Sequence, residues 1–168
     1  HCAHCYRDTD RIDYISLAQI QRICAAIPVD AMGMGTGENA LNPEFSSIVH
    51  YLAGRDVRLS VASNGHSLTT IPDAVLCAFH DVEVSIDFAT QAEQDAFRGA
   101  GNWALIHQAI ERCHALGIEV SIPTDRRTGA YVNAARALTE AKVPYPRPVD
   151  SSSTCCRLPV FSGPLSEL

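Results

Sequence analysis

Four short apolar runs, beginning near Ala31, Val57, Val82 and Ile118, are separated by segments in which apolar residues return every three or four positions. This alternation constrains the fold more than any other feature of the chain. Strands that follow one another through a helix are joined by crossovers too long for hairpins, so they lie parallel, with helices packed on the sheet. The expected class is therefore α/β, built from roughly four βα units on a parallel sheet.

The helical segments are read from apolar spacing and from their ends. Leu17, Ile20, Ile23, Cys24 and Ile27 form one apolar stripe that Pro28 closes. Asn42 and Pro43 resemble an N-cap and first-turn proline for a helix carrying Phe45, Ile48, Val49 and Leu52. A third helix is expected over Thr70 to His80, with Val75, Leu76 and Phe79 inward. A fourth begins at a capping Asn102, turns Trp103, Ile106, Ile110, Cys113 and Leu116 inward, and ends at Gly117. Beyond Ile122 the pattern fades to one helix over about Tyr131 to Ala141 and then a Pro- and Ser-rich stretch from Val143 to Leu168. The expected organisation is a βα core over residues 1–122 and an atypical C-terminal segment over 123–168, its last part poorly ordered.

Composition narrows the partners. Thirteen Lys and Arg against nineteen Asp and Glu give a net charge of −6 in 168 residues, which offers phosphate backbones and anionic lipid no general attraction. Nucleic acid is not an expected partner. No apolar run nears the roughly 20 residues of a membrane span, and no charged leader precedes an apolar segment, so no membrane is expected and a cytoplasmic location is. Seven cysteines, an odd number scattered through helical patterns, read as reduced thiols rather than a disulfide framework. Cys24, Cys77 and Cys113 fall at apolar helix positions and read as small core residues. Cys155 and Cys156 are assigned no role.

In parallel βα arrays, ligand chemistry gathers at the carboxyl ends of the strands. Three polar or glycine-rich stretches lie there: Gly35-Thr36-Gly37-Glu38, Ser63-Asn64-Gly65 and Ser85-Ile86-Asp87. The first lacks the lysine of a P-loop and the third glycine of a dinucleotide fingerprint, but its glycines let backbone groups approach a small polar ligand. At the chain start, "HCAHCY" holds Cys2 and Cys5 at ligand spacing. A CxxC pair serves thioredoxin-like redox chemistry, half of a zinc site or iron–sulfur ligation, and spacing alone does not choose among them. No strand precedes the pair, which argues against the thioredoxin arrangement. Zinc would require two further ligands, for which His1 and His4 are the near candidates.

The cysteine loop, "GTGEN", "ASNG", "VEVSID" and "DAFRGAGNWALIHQAIERCHALGIEV", in this order and spacing, resemble the radical S-adenosylmethionine (radical SAM) superfamily over about His1 to Ile122. The family's signature is CxxxCxxC followed by a GGE-type turn. The resemblance implies a partial (β/α) barrel in which Cys2 and Cys5 are the second and third cluster cysteines, so that the first cysteine and first strand would lie upstream of His1. It implies a 4Fe-4S cluster held by Cys2 and Cys5, with the amino and carboxylate groups of SAM on the open iron. Thr36, Gly37 and Glu38 match the GGE turn, which meets the methionine amino group, with Thr36 in place of the first glycine.

His4 stands where the family usually has an aromatic near the adenine, and Tyr6 is placed with it on the cofactor side. Ser63, Asn64, Ser85 and Asp87 would line the ribose and carboxylate side, and Arg98 would pair with the SAM carboxylate. The implied activity is one-electron cleavage of SAM to methionine and a 5'-deoxyadenosyl radical that abstracts hydrogen from a substrate. Further partners implied are an electron donor and a small-molecule or peptide substrate, a peptide being favoured because "CAHCY" resembles the loop of peptide-modifying members. No catalytic residue beyond the cluster ligands is assigned, and the 168 residues alone are expected to be inactive. A noncatalytic zinc- or iron-binding βα domain stands as the alternative.

Overall fold

In a computed structural model, residues 13–35 and 37–122 are described. The first helix, α1 (Leu17–Ala26), starts in a capping box: the Ser16 hydroxyl accepts from the Gln19 N–H at 3.2 Å, and the Gln19 side chain accepts from the Ser16 N–H at 2.7 Å. Strand β1 (Ala31–Met34) follows, then a single 3-10 turn over Asn39–Leu41 and helix α2 (Phe45–Ala53). The α2 apolar residues Phe45, Ile48, Val49 and Leu52 are all buried, as their i, i+3, i+4, i+7 spacing requires. Asn42 lies just before α2 rather than at its N-cap position, yet its Oδ1 accepts from the Glu44 N–H at 3.0 Å and so orders the entry to the helix.

Strand β2 (Arg58–Ser63) alternates exposed or half-buried positions with buried Leu59, Val61 and Ser63, the period-2 pattern of a sheet packed on one face. Beyond it, the helix expected over Thr70 to His80 is confined to α4 (Asp73–Leu76), and a further short helix, α3 (His66–Thr70), precedes it with a break between the two. Pro72 is the cause. It has no N–H to continue the ladder and forces the preceding residue away from helical geometry, and Ile71 is extended at φ −69°, ψ 151°. The carbonyls left open at the end of α3 are met by Arg112, which donates to Leu68 O at 2.8 Å and Ile71 O at 2.7 Å while pairing with Asp73.

Strand β3 (Asp81–Val84), helix α5 (Gln91–Arg98), helix α6 (Asn102–Ala115) and strand β4 (Val120–Ser121) complete the described chain. Helix α5 is mostly polar, with only Ala92, Ala96 and Phe97 apolar, and is not anticipated in the sequence reading. Asn102 is not the cap of α6: Gly101 holds that position, and the Asn102 side chain is buried in the interior. The four strands form one parallel sheet in the order β1-β2-β3-β4, with Ala31 opposite Arg58, Ser60 opposite Asp81 and Val82 opposite Val120.

The core lies between sheet and helices, with Leu52, Leu59, Leu68, Leu76, Val82, Val84 and Ile106 all fully buried. Ile106, Ile110 and Cys113 of α6 point into it; Trp103 and Leu116 are half-buried. Ile23 and Ile27, expected on the inward stripe of α1, are instead 38% and 56% exposed, because α1 rests on the core through buried Ile20 and Cys24 with Leu17 packed beside them. Cys24 and Cys113 are buried and Cys77 is half-buried. The helix expected over residues 131–141 and the stretch 143–168 lie outside the described residues.

Candidate functional site

Three loops leave the carboxyl ends of β1, β2 and β3 side by side. In the first, Gly37 adopts φ 88°, a left-handed conformation that turns the chain sharply toward β2. Glu38 then lies half-buried, and its carboxylate joins the first loop to the second. Its Oε1 accepts from the Ser63 hydroxyl at 2.6 Å and from the Ser67 N–H at 2.7 Å, and its Oε2 accepts from the Asn64 N–H at 3.2 Å. Ser67 returns the contact, since its hydroxyl accepts from the Ala40 N–H at 2.9 Å. Asn39 adds a third tie, donating through Nδ2 to both Met34 O and Ala62 O at 3.3 Å. The acidic residue of the turn is therefore occupied in holding the ends of β1 and β2 together.

Gly65 is required by its surroundings. It sits at φ 105°, and a Cβ there would come within 3.2 Å of Leu105 Cγ and 3.4 Å of the Ile106 backbone nitrogen. A left-handed glycine thus lets the start of α6 approach the loop after β2.

On the β3 side, the Ser85 N–H donates to Ser63 O at 3.0 Å, which continues the ladder past the strand ends and places Ser85 beside the Ser63-Asn64 pair. Arg98, only 12% exposed, forms an ion pair through Nε with Asp87, which is 32% exposed. Two buried amides support this region: Gln94, which the sequence pattern does not single out, and Asn102, which it reads as a helix cap. Gln94 and Asn102 share a hydrogen bond at 2.9 Å and bond to the backbone of the loops after β2 and β3. A polar residue fully buried in a short helix leaves no periodic signature, so only burial identifies Gln94. Nearby, Asp95 accepts from the Trp103 N–H at 2.8 Å; this bond, opposed by desolvation and aided by the Gly101 and Asn102 N–H groups and the Gln91 side chain, holds its carboxyl below the ordinary value of 3.8.

The fold brings Gly37, Glu38, Ser63, Asn64, Ser85, Asp87 and Arg98 to one end of the sheet. Cys2, His4, Cys5, Tyr6 and Thr36 lie outside the described residues. Among the described residues no group of three or more His, Cys, Asp or Glu side chains is arranged to hold a metal. The rim fits a small polar cofactor in its donor set: the Asn64 Nδ2, the Ser85 hydroxyl and the second Asp87 oxygen take part in none of the bonds above. An amide donor, a hydroxyl and a carboxylate oxygen on adjacent loops suit the hydroxyls and amino-acid groups of a nucleoside-linked ligand.

The family model described as the radical SAM superfamily matches residues 1–132. The chain belongs to the radical SAM superfamily. Its parallel sheet and flanking helices are accordingly part of the partial β/α barrel of that superfamily. Curated relatives include the mycofactocin maturase MftC of Mycobacterium ulcerans (strain Agy99), 29% identical over 149 residues that cover 83% of this chain and 40% of the relative. The MftC proteins of Mycobacterium tuberculosis (strain CDC 1551 / Oshkosh) and Mycolicibacterium smegmatis (strain ATCC 700084 / mc(2)155) are each 28% identical, over 79% and 69% of this chain and 36% and 31% of the relatives. The chain thus spans less than half the length of these radical SAM relatives. No helix among its described residues is long and apolar enough to cross a membrane.

Proposed function

We propose that this chain is the SAM-binding part of a radical SAM enzyme that modifies a peptide. The observation that carries the reading is the convergence of the Gly37-Glu38 turn, Ser63-Asn64 and Ser85-Asp87 on one rim, in a chain whose superfamily match covers residues 1–132. Cys2 and Cys5 would ligate the 4Fe-4S cluster, thiolates being suited to iron–sulfur ligation. When bound, cluster and SAM supply reductive cleavage of a sulfonium and abstraction of hydrogen. The protein's part is to orient the cofactor. The Gly37 turn would present backbone to the methionine end, Asn64 and Ser85 would donate to the ribose side, and Asp87 would hold Arg98 in place near the cofactor carboxylate. The maturase name of the relatives supports a modification reaction, and a peptide substrate agrees with the "CAHCY" loop.

The test is anaerobic reconstitution of the full-length protein with iron and sulfide, followed by metal and sulfide analysis, SAM titration and deoxyadenosine assay under dithionite. Four iron and four sulfide per chain are expected, consistent with the cluster stoichiometry. Asn64→Ala and Asp87→Ala should weaken SAM binding, whereas Glu111→Ala, on the exposed face of α6, should not. Stoichiometric zinc without sulfide would instead support a noncatalytic metal-binding βα domain.

A further inference from the structure

Gln94 is fully buried and Asn102 is 8% exposed, so every polar atom they carry needs a partner within the protein. The hydrogen bonds they make run in one direction. The Gln94 Oε1 accepts from two backbone donors, Asp87 N at 3.0 Å and Phe88 N at 3.1 Å, which settles which end of the amide is oxygen. Its Nε2 must then donate, and does so to Ser85 O at 3.4 Å and to Asn102 Oδ1 at 2.9 Å. That bond in turn orients Asn102, whose Nδ2 donates to Asn64 O at 2.9 Å. Reversing either amide would set donor against donor, so neither can flip alone.

We infer that Gln94 and Asn102 are a positioning pair that sets the separation between the loops after β2 and β3, and with it the placement of Asn64, Ser85 and Asp87 around the ribose side of SAM. The inference rests on the proposed function and deepens it. The pair bonds to the backbone of Asn64, Ser85, Asp87 and Phe88, whereas the Gly37-Glu38 turn is tied to the Ser63-Asn64 loop and to Ser67 by the Glu38 carboxylate. Through side chains, the loop after β2 is therefore tied to the turn by Glu38 and to the loop after β3 by the amide pair. Disturbing the amide pair should weaken SAM binding, through Asn64 and Ser85 on the ribose side and through Asp87 and its partner Arg98 at the carboxylate, while the Glu38 ties stay in place.

Asn102→Asp is the sharpest variant. It preserves shape and the acceptor for Gln94, but replaces the donor to Asn64 O with an oxygen that repels it. Gln94→Met removes all four bonds at similar volume, and Asn102→Ser retains a shorter hydroxyl should either of the others fail to fold. SAM is titrated into the reconstituted full-length protein, and amide exchange at Ser67, Asp87 and Phe88 is followed without ligand. The expected result is a SAM Kd raised about tenfold or more, faster exchange at Asp87 and Phe88 in Gln94→Met, and unchanged exchange at Ser67, whose N–H the Glu38 carboxylate holds. A tenfold change corresponds to about 1.4 kcal/mol, the scale of one or two buried hydrogen bonds. Faster exchange at Ser67 as well, or a lower melting temperature with SAM affinity unchanged, would mean that the pair is merely structural and would overturn the inference. Wild-type protein that loads its cluster but binds no SAM would overturn the proposed function and this inference together; wild-type binding with unaltered variants would overturn this inference alone.

Discussion

Replacing Glu38 with alanine should release the two loops that its carboxylate holds. Three donors lose their acceptor. The Ser67 N–H belongs to a fully buried residue and stays away from water, at a cost of about 1–3 kcal/mol. The Ser63 hydroxyl, in a residue only 3% exposed, loses its 2.6 Å bond, worth roughly 1 kcal/mol once hydroxyl rotation is allowed. The half-buried Asn64 N–H, at 3.2 Å, can find water and contributes less. Set against this, a carboxylate no longer has to be desolvated, so the net loss is about 2–3 kcal/mol, or roughly 5–10 °C in melting temperature for a chain of this size.

Glu38→Gln refines the test because two of the three bonds share Oε1. An amide that keeps its oxygen there retains both and sets its NH2 against the Asn64 N–H, a cost of about 1 kcal/mol. Urea and thermal unfolding should therefore rank wild type above Gln above Ala. Amide exchange should accelerate at Asn64 in both variants and at Ser67 in Ala alone. Alanine stability within about 0.5 kcal/mol of wild type, with Ser67 protection unchanged, would refute the clamp.

Gly65→Ala should destabilise by at least about 1–2 kcal/mol from left-handed backbone strain, with crowding against Leu105 and Ile106 adding to it, as measured by urea unfolding. Asp95 has a lowered folded-state carboxyl pKa, so its contribution to stability is present above the ordinary value of 3.8 and is lost as pH falls through the lower folded value. Asp95→Asn should accordingly flatten the acid limb of the stability profile, and an unchanged limb would contradict this. Cys113 is fully buried, and desolvation pushes its thiol up to about 11 despite the nearby Arg112. Alkylation at pH 8 with mass-spectrometric mapping should leave it unmodified in native protein and label it after unfolding.

The order of strands and helices, the parallel sheet and most core positions were legible in the sequence, because apolar period depends on local geometry: two for β2, three to four for α2 and α6. Turn glycines and short polar side chains likewise marked the carboxyl ends of the strands, where the proposed site lies. Local pattern failed where a distant contact or a backbone restriction decided the outcome. Pro72 set α4 apart from a preceding short helix, α3, that the pattern did not mark, and the shallow seating of α1 left Ile23 and Ile27 exposed although their spacing suits a buried face. Glu38 reads in sequence as one acidic residue of a turn, and only tertiary structure sets it against Ser63, Asn64 and Ser67, more than twenty positions away. Gln94 and Asn102 carry no periodic signal, because a buried amide is defined by its hydrogen-bond partners rather than by its neighbours in the chain. The sequence alone determined the alternation of strands and helices and which end of the sheet gathers the turn glycines and short polar residues; which side chains hold that end together was decided by packing, since a polar group taken from water must find a partner wherever the fold supplies one.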